Sequence, residues 1–261
     1  MRRLIVLVLS VGYLAASPPL VAQAALERGV AAMAQYDWPA ARQQLTAAVA
    51  TAPDSYEANW RLAEVLIDIG KATPDDVADA GRDSLYAAAE RYARRAVATN
   101  PEGANGHFVL ANALGRVSLT RGKRERVELA VVIRNEALKA LGYDPEHAGA
   151  YHILGRWHAE ILRLSSLERF FAKQFLGADI FDMASWSEAE RYLRLAIQYE
   201  PRRVFHHLDL GLVYLDEKKW SDAARAFEAA LALPIQEPMD AIYHAEARER
   251  LTELARRKGT P

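Results

Sequence analysis

Along almost the whole chain the apolar residues return at i, i+3, i+4 and i+7, and no stretch alternates with period two, so the pattern predicts helices throughout and no strand. Tyr151–His158 is one clear case. Leu154, Trp157 and Ile161 share a face, and Gly155 beside Leu154 is small enough for a neighbouring helix to come close. A further helix is expected just downstream. Ser165 and Glu168 form an S-x-x-E capping box, Leu164, Leu167, Phe170, Phe171 and Phe175 make a helically spaced stripe, and Gly177 stands where a C-terminal cap belongs. Near the end, Asp240 to Lys258 predicts a helix with Ala241, Ala245, Leu251 and Leu254 on its apolar face, and with Ala247 among the charges on the other.

The punctuation shows that these helices repeat. Pro53, Pro101, Pro145 and Pro201 each follow an alanine by five residues (Ala48, Ala96, Ala140 and Ala196), and each precedes a new helix start. In a tetratricopeptide unit that alanine lets the second helix pack on the first, and the proline ends the second helix. The first repeat carries Gly29, Trp38, Ala41, Leu45, Ala48 and Pro53 at the offsets of a 34-residue unit. Five repeats are expected, at about 22–55, 56–103, 104–147, 148–203 and 204–236, followed by a capping helix over about 240–258. In the second, third and fourth the closing proline comes about 14, 10 and 22 residues late. The excess is expected as a loop over Gly70–Asp83, a basic turn over Arg116–Arg126, and the aromatic helix of the fourth repeat. All three lie between the first and second helix of a unit, so they emerge at one edge. The expected fold is all-α, a tetratricopeptide-like α-α superhelical solenoid with an inserted helix in the fourth repeat.

The first residues follow a different rule. Arg2 and Arg3 precede an uncharged apolar run from Leu4 to Ala16, and Ala22-Gln23-Ala24 fits a small-x-small cleavage site, so residues 1–24 read as a signal peptide and 25–261 as the mature repeat domain. The run is short against the roughly 20 residues needed to span a bilayer. Cleavage near Ala24-Ala25 implies an exported protein, periplasmic or secreted. With no cysteine in the chain there is no lipidated N-terminal cysteine, disulfide or thiolate chemistry, and stability has to come from packing. Without residues 1–24 the chain holds 31 basic and 34 acidic residues, a formal charge of −3, which gives no electrostatic reason to expect nucleic acid.

Candidate chemistry is sparse. His147, His152, His158, His206 and His207 with Asp209 suggest a metal, but His152 and His158 are six apart, on different helix faces, and no pair has the i, i+4 spacing of a zinc helix. Partly buried, hydrogen-bonded histidines are the expectation. No nucleophile elbow, dinucleotide or phosphate loop, or calcium loop occurs, so no catalytic residue, metal or cofactor is expected. Two surfaces remain. His152, Arg156, Trp157, Leu167, Phe170, Phe171 and Phe175 could form a ligand or partner surface, the phenylalanines either filling a gap between helices or lining an apolar pocket. Arg121, Lys123, Arg124 and Arg126, with Arg116 nearby, form a candidate anion site, suited to a phosphate or an anionic lipid headgroup.

The Leu-Gly-Arg-Trp segment at 154–157, the Leu-x-x-Leu-Glu-Arg run at 164–169 with Phe-Leu-Gly at 175–177, and the Ser-x-x-Glu-Ala-type helix after it resemble the regulator of microtubule dynamics family over about Pro145 to Leu254. The resemblance implies a tetratricopeptide domain, microtubule association and, in some members, organelle tethering and lipid binding. An exported protein meets no microtubule, so that partner rests on the resemblance alone. The expected function is a non-enzymatic scaffold receiving a protein or peptide on its concave face. The alternative is a module for an apolar ligand or phospholipid, using the inserted aromatic helix.

Overall fold

The computed structural model describes residues 18–74, 77–165 and 182–258, and every regular element within them is helical. In order these are α1 (Pro18–Met33), α2 (Trp38–Thr51), α3 (Tyr56–Gly70), α4 (Ala80–Thr99), α5 (Ala104–Ser118), α6 (Lys123–Tyr143), α7 (Ala148–Arg163), α8 (Trp186–Tyr199), α9 (Val204–Asp216), α10 (Trp220–Ala232) and α11 (Asp240–Lys258). Each odd-numbered helix from α1 to α9 packs on the next to make a repeat. The odd-numbered helices also pack on one another in series through α11, so they line the inner side of the curve and the even-numbered helices its outside. This is the α-α solenoid expected from the sequence.

The repeat signature explains the packing. Ala48, Ala96, Ala140, Ala196 and Ala230 are all buried, where a larger side chain would hold the neighbouring helix away. Glycine does the same on the first helix of four repeats, at Gly29, Gly70, Gly155 and Gly211. A Cβ on Gly155 would lie 2.6 Å from Leu193 Cγ on α8, and one on Gly211 would lie 2.4 Å from the Phe227 ring on α10.

Each proline that closes a repeat also anchors the next helix. Its carbonyl accepts a hydrogen bond from the side chain six residues on: Asn59 Nδ2 to Pro53 at 2.7 Å, His107 Nε2 to Pro101 at 2.7 Å, Tyr151 Oη to Pro145 at 2.9 Å and His207 Nε2 to Pro201 at 3.0 Å. Four junctions thus satisfy the carbonyl of the proline just past the helix C-cap with three kinds of side chain.

Three boundaries differ from the sequence reading. The late proline of repeat three is absorbed mainly by lengthening the second helix, α6, which starts at Lys123 and has 21 residues against 14 in α2; in repeat two α4 already runs at Ala80 and its 20 residues take up part of the excess, with a longer turn before it. Asp79 accepts from the Arg82 amide and fixes the early start of α4, so Asp83 lies in helix rather than loop. Only residues 119–122 separate α5 from α6. Repeats one and five, without insertions, turn through Tyr36 and Lys218, whose φ values of 56° and 61° are left-handed.

The last helix is rotated from its expected setting. Ala247 is buried with His244 and Leu254, whereas Ala241 and Ala245 are exposed. Alanines occur all round α11 and do not define a face; its setting follows the hydrogen bond from His244 Nε2 to the Ala230 carbonyl, 3.0 Å, and the packing of Leu251 and Leu254. At the other end, α1 runs through the expected Ala24–Ala25 junction, with Ala22, Ala25 and Leu26 buried. The capping box beyond Ser165, the aromatic stripe and Gly177 lie outside the described residues.

Candidate functional site: the inner channel

The inner face is built from the strips of α3, α7 and α9 that look away from their partner helices. On α3, Trp60, Glu64 and Asp68 follow at intervals of four and so share one side. The Arg61 guanidinium covers the Trp60 ring at 4.3 Å and pairs with Glu57 at 2.8 Å, and Lys71 pairs with Asp68 at 2.7 Å. Glu64 is half-buried and has no hydrogen bond or ion pair among the described residues. Burial, with Asp68 adding to it, pushes its carboxyl up to about 7.

The opposite wall comes from α7 and α9. His152 Nε2 meets Asp209 Oδ2 at 3.1 Å, and Arg156 Nε lies 3.6 Å from the same oxygen. Burial alone would raise Asp209, but Arg156 and His152 hold it well below the usual carboxylate range. His152 Nδ1 and His206 Nδ1 are 3.0 Å apart, and His206 Nε2 faces Glu200 Oε2 at 3.6 Å. The Phe205 ring stands edge-on to His152 at 4.7 Å and touches Tyr243 of α11 at 6.1 Å. Further along, Arg163 bridges Asp216 at 2.6 Å and Glu160 at 2.7 Å.

These walls are close enough to feel each other's charge. Tyr243 is raised by burial against the opposing pull of Lys71 at the end of α3 and Arg116 on α5. His152 is lowered by burial, with Arg156 and Lys71 adding to the effect. The second repeat therefore faces the fourth, the fifth and the cap across a narrow channel of mixed charge.

Of the residues expected at a ligand surface, His152 and Arg156 do reach this channel. Trp157 does not: it is 5% exposed, packs with Ile161, and donates its Nε1–H to the Ala130 carbonyl of α6 at 2.8 Å. Leu167, Phe170, Phe171 and Phe175 lie outside the described residues. Arg121, Arg124 and Arg126 are exposed at the edge where α6 begins, Arg124 pairing with Glu128 at 3.0 Å, while Arg116 lies within α5 and its charge is felt by Tyr243. Lys123 is the first residue of α6. The remaining histidines have structural partners: His147 Nδ1 caps α7 through the Ala150 amide at 3.2 Å, and the Ser185 amide donates to His158 Nδ1 at 3.3 Å. No group of three or more metal-ligating side chains occurs among the described residues. Glu64, Lys71 and Tyr243 were missed from the sequence, because only the curl of the array brings them near α7 and α9.

A pairing of short helices with alanine and glycine at the contacts, in series around a channel, defines a tetratricopeptide-type solenoid, and solved structures agree. The structure resembles the thermophilic tetratricopeptide protein TTC0263 of Thermus thermophilus (TM-score 0.60, 20% identity, 87% of this chain and 99% of that one) and Pseudomonas aeruginosa pilF (TM-score 0.54, 13% identity, 93% and 92%). The family described as Regulator of microtubule dynamics protein 1-3 matches residues 26–255, and the chain belongs to it. Similar relatives are Regulator of microtubule dynamics protein 1 of Bos taurus, 26% identical over 60% of this chain and 48% of that one, and of Mus musculus, 26% identical over 75% and 63%. The chain thus spans about half to under two thirds of the relatives it matches.

Proposed function

We propose that the chain is a non-enzymatic scaffold whose inner channel receives an extended segment of a partner protein. The observation that carries this reading is the channel itself: charged and aromatic side chains from α3, α7, α9 and α11 converge there, while Glu64 keeps an unmatched carboxyl. Such a surface offers a peptide hydrogen-bonding groups and ring faces along its length, as solenoid inner faces do. The name of the relatives concerns microtubules. We carry over only a binding role, because the proposed signal peptide and cleavage after Ala24 put this chain outside the cell's tubulin. No helix among the described residues is long and apolar enough to cross a membrane.

Native mass spectrometry of the protein from its own host tests the proposal. The bare chain should have the mass of residues 25–261, and a bound polypeptide should be lost in an Arg156→Glu, Glu64→Arg variant but kept in a variant of the exposed Arg121, Arg124 and Arg126. A bound mass below about 1 kDa retained by the channel variant, and lost on Phe171→Ala, would replace the scaffold by the lipid or apolar-ligand module. Retention of Met1 would remove the export.

A further inference from the structure

His152 and His206 join the first helices of repeats four and five through ring nitrogens that both point inward. Their Nδ1 atoms are 3.0 Å apart and the ring centroids 4.9 Å, and His206 is wholly buried. The outer nitrogens each face an acid: His152 Nε2 meets Asp209 at 3.1 Å, and His206 Nε2 lies 3.6 Å from Glu200 and lacks a hydrogen-bond partner.

This geometry fixes the protons. Asp209 is held ionised, so His152 keeps its proton on Nε2 and presents a bare Nδ1. His206 must then carry its proton on Nδ1 and donate it to His152, which leaves His206 Nε2 bare against the Glu200 carboxylate. Two acceptors face each other there, in keeping with the long 3.6 Å separation. A first added proton enters at His206 Nε2, turns that contact into a charged hydrogen bond to Glu200, and leaves the N–H···N bond intact. A second proton has only His152 Nδ1 to go to. That atom is the acceptor of the bond, so the bond is lost and two imidazolium rings are left in contact.

We propose that His152 and His206 are an acid-sensitive latch between the fourth and fifth repeats, closed by one N–H···N bond while the pair holds at most one extra proton and opened by the second. The charged groups around the latch are Arg156 on α7, Asp209 on α9, Glu200 and Arg203 in the turn before α9, and Lys71 across the channel at the end of α3. Arg156 offsets Asp209 and Arg203 offsets Glu200, so neither acid draws the proton strongly. Burial accordingly holds His206 down at about 4 and lowers His152 also. The latch is closed at neutral pH and releases on the acid side of ordinary histidine, without reference to what the channel binds.

The test is imidazole ¹⁵N titration of the full chain, with amide exchange in α7 and α9 corrected for its intrinsic pH dependence. His206 should take the first proton at Nε2, and Glu200→Gln should move that step down by about one pH unit. Exchange in α9 should rise about five- to tenfold at the second step, the loss expected from one net hydrogen bond. In His206→Phe that rise should be absent. Two rings titrating independently near the ordinary value of about 6.5, or a first step unmoved by Glu200→Gln, would overturn the latch. Glu200 is 45% exposed, so its variant reports even where His206→Phe does not fold.

Discussion

Replacing Gly155 by alanine should destabilise the array, although the same change in most helices does the opposite. In a helix interior alanine is favoured over glycine by about 1 kcal/mol, so the substitution alone is stabilising. At Gly155 the new methyl would lie 2.6 Å from Leu193 Cγ, 3.1 Å from Leu193 Cδ2 and 3.2 Å from the Ala189 carbonyl oxygen. Leu193 is wholly buried and the Ala189 oxygen is backbone of α8, so neither can swing aside, and α7 and α8 have to separate. Overpacking of this kind costs about 1–3 kcal/mol, and against the propensity gain this leaves a net loss of about 0–2 kcal/mol. Gly115 in α5 is the control, because a Cβ there meets nothing within 4 Å. Gly115→Ala should gain about 0.5–1 kcal/mol. Urea denaturation followed by circular dichroism reads the opposite signs, and a thermal midpoint should move about 2–4 °C per kcal/mol. Amide exchange in α7 and α8 localises the loss, since distant repeats need not open together. A Gly155→Ala protein stabilised as much as Gly115→Ala would mean that α7 and α8 do not meet at this glycine.

Two other outcomes follow from particular contacts. On α11, Ala247→Leu should lower the denaturation midpoint by about 1–3 kcal/mol of overpacking while Ala245→Leu leaves it almost unchanged; equal effects would show that the helix is not set by His244 and Leu254. Glu64, raised to about 7 in the fold, binds its proton more readily folded than unfolded, so its stabilising contribution is complete below pH ~4.5 and fades as pH rises through about 7. Glu64→Gln should therefore match the wild type at pH 4 and exceed it at pH 8 in chemical denaturation, and a stability difference that does not change between these values would refute the burial of that carboxyl.

The sequence announced the array because its punctuation is local. An alanine five residues before a proline, and a glycine on an apolar helix face, each report a contact within one repeat, so Ala196 and Gly155 could be read without a structure. The ends of the insertions could not be, because Gly70–Asp83 and Arg116–Arg126 mix helix formers with turn residues, and tertiary packing decides how far the second helix extends. The face of α11 was misread for a related reason: with alanines on every side, a histidine bonding the carbonyl of Ala230 sets the rotation. The channel was the least legible part. His152 and Arg156 were visible as polar residues on an apolar helix, but their meeting with Asp209, and the approach of Glu64 and Lys71 to that wall, depend on the sum of small rotations between repeats. Trp157 shows the converse, an aromatic that suggested a binding surface and instead donates to a backbone carbonyl in the core.

The lengthened second helices make the outer layer of the ribbon uneven along the array. At about 1.5 Å per residue, α6 is roughly 31 Å long and its partner α5 roughly 22 Å, and α4 exceeds α3 in the same sense. Both excesses lie in second helices, on the outside of the curve, whereas the proline junctions between repeats are tied down at each step by a side-chain hydrogen bond. Repeats two and three therefore carry a taller outer layer, with second helices of 20 and 21 residues, than repeats one, four and five, with 14, 14 and 13, so the wall of the ribbon is highest in its first half.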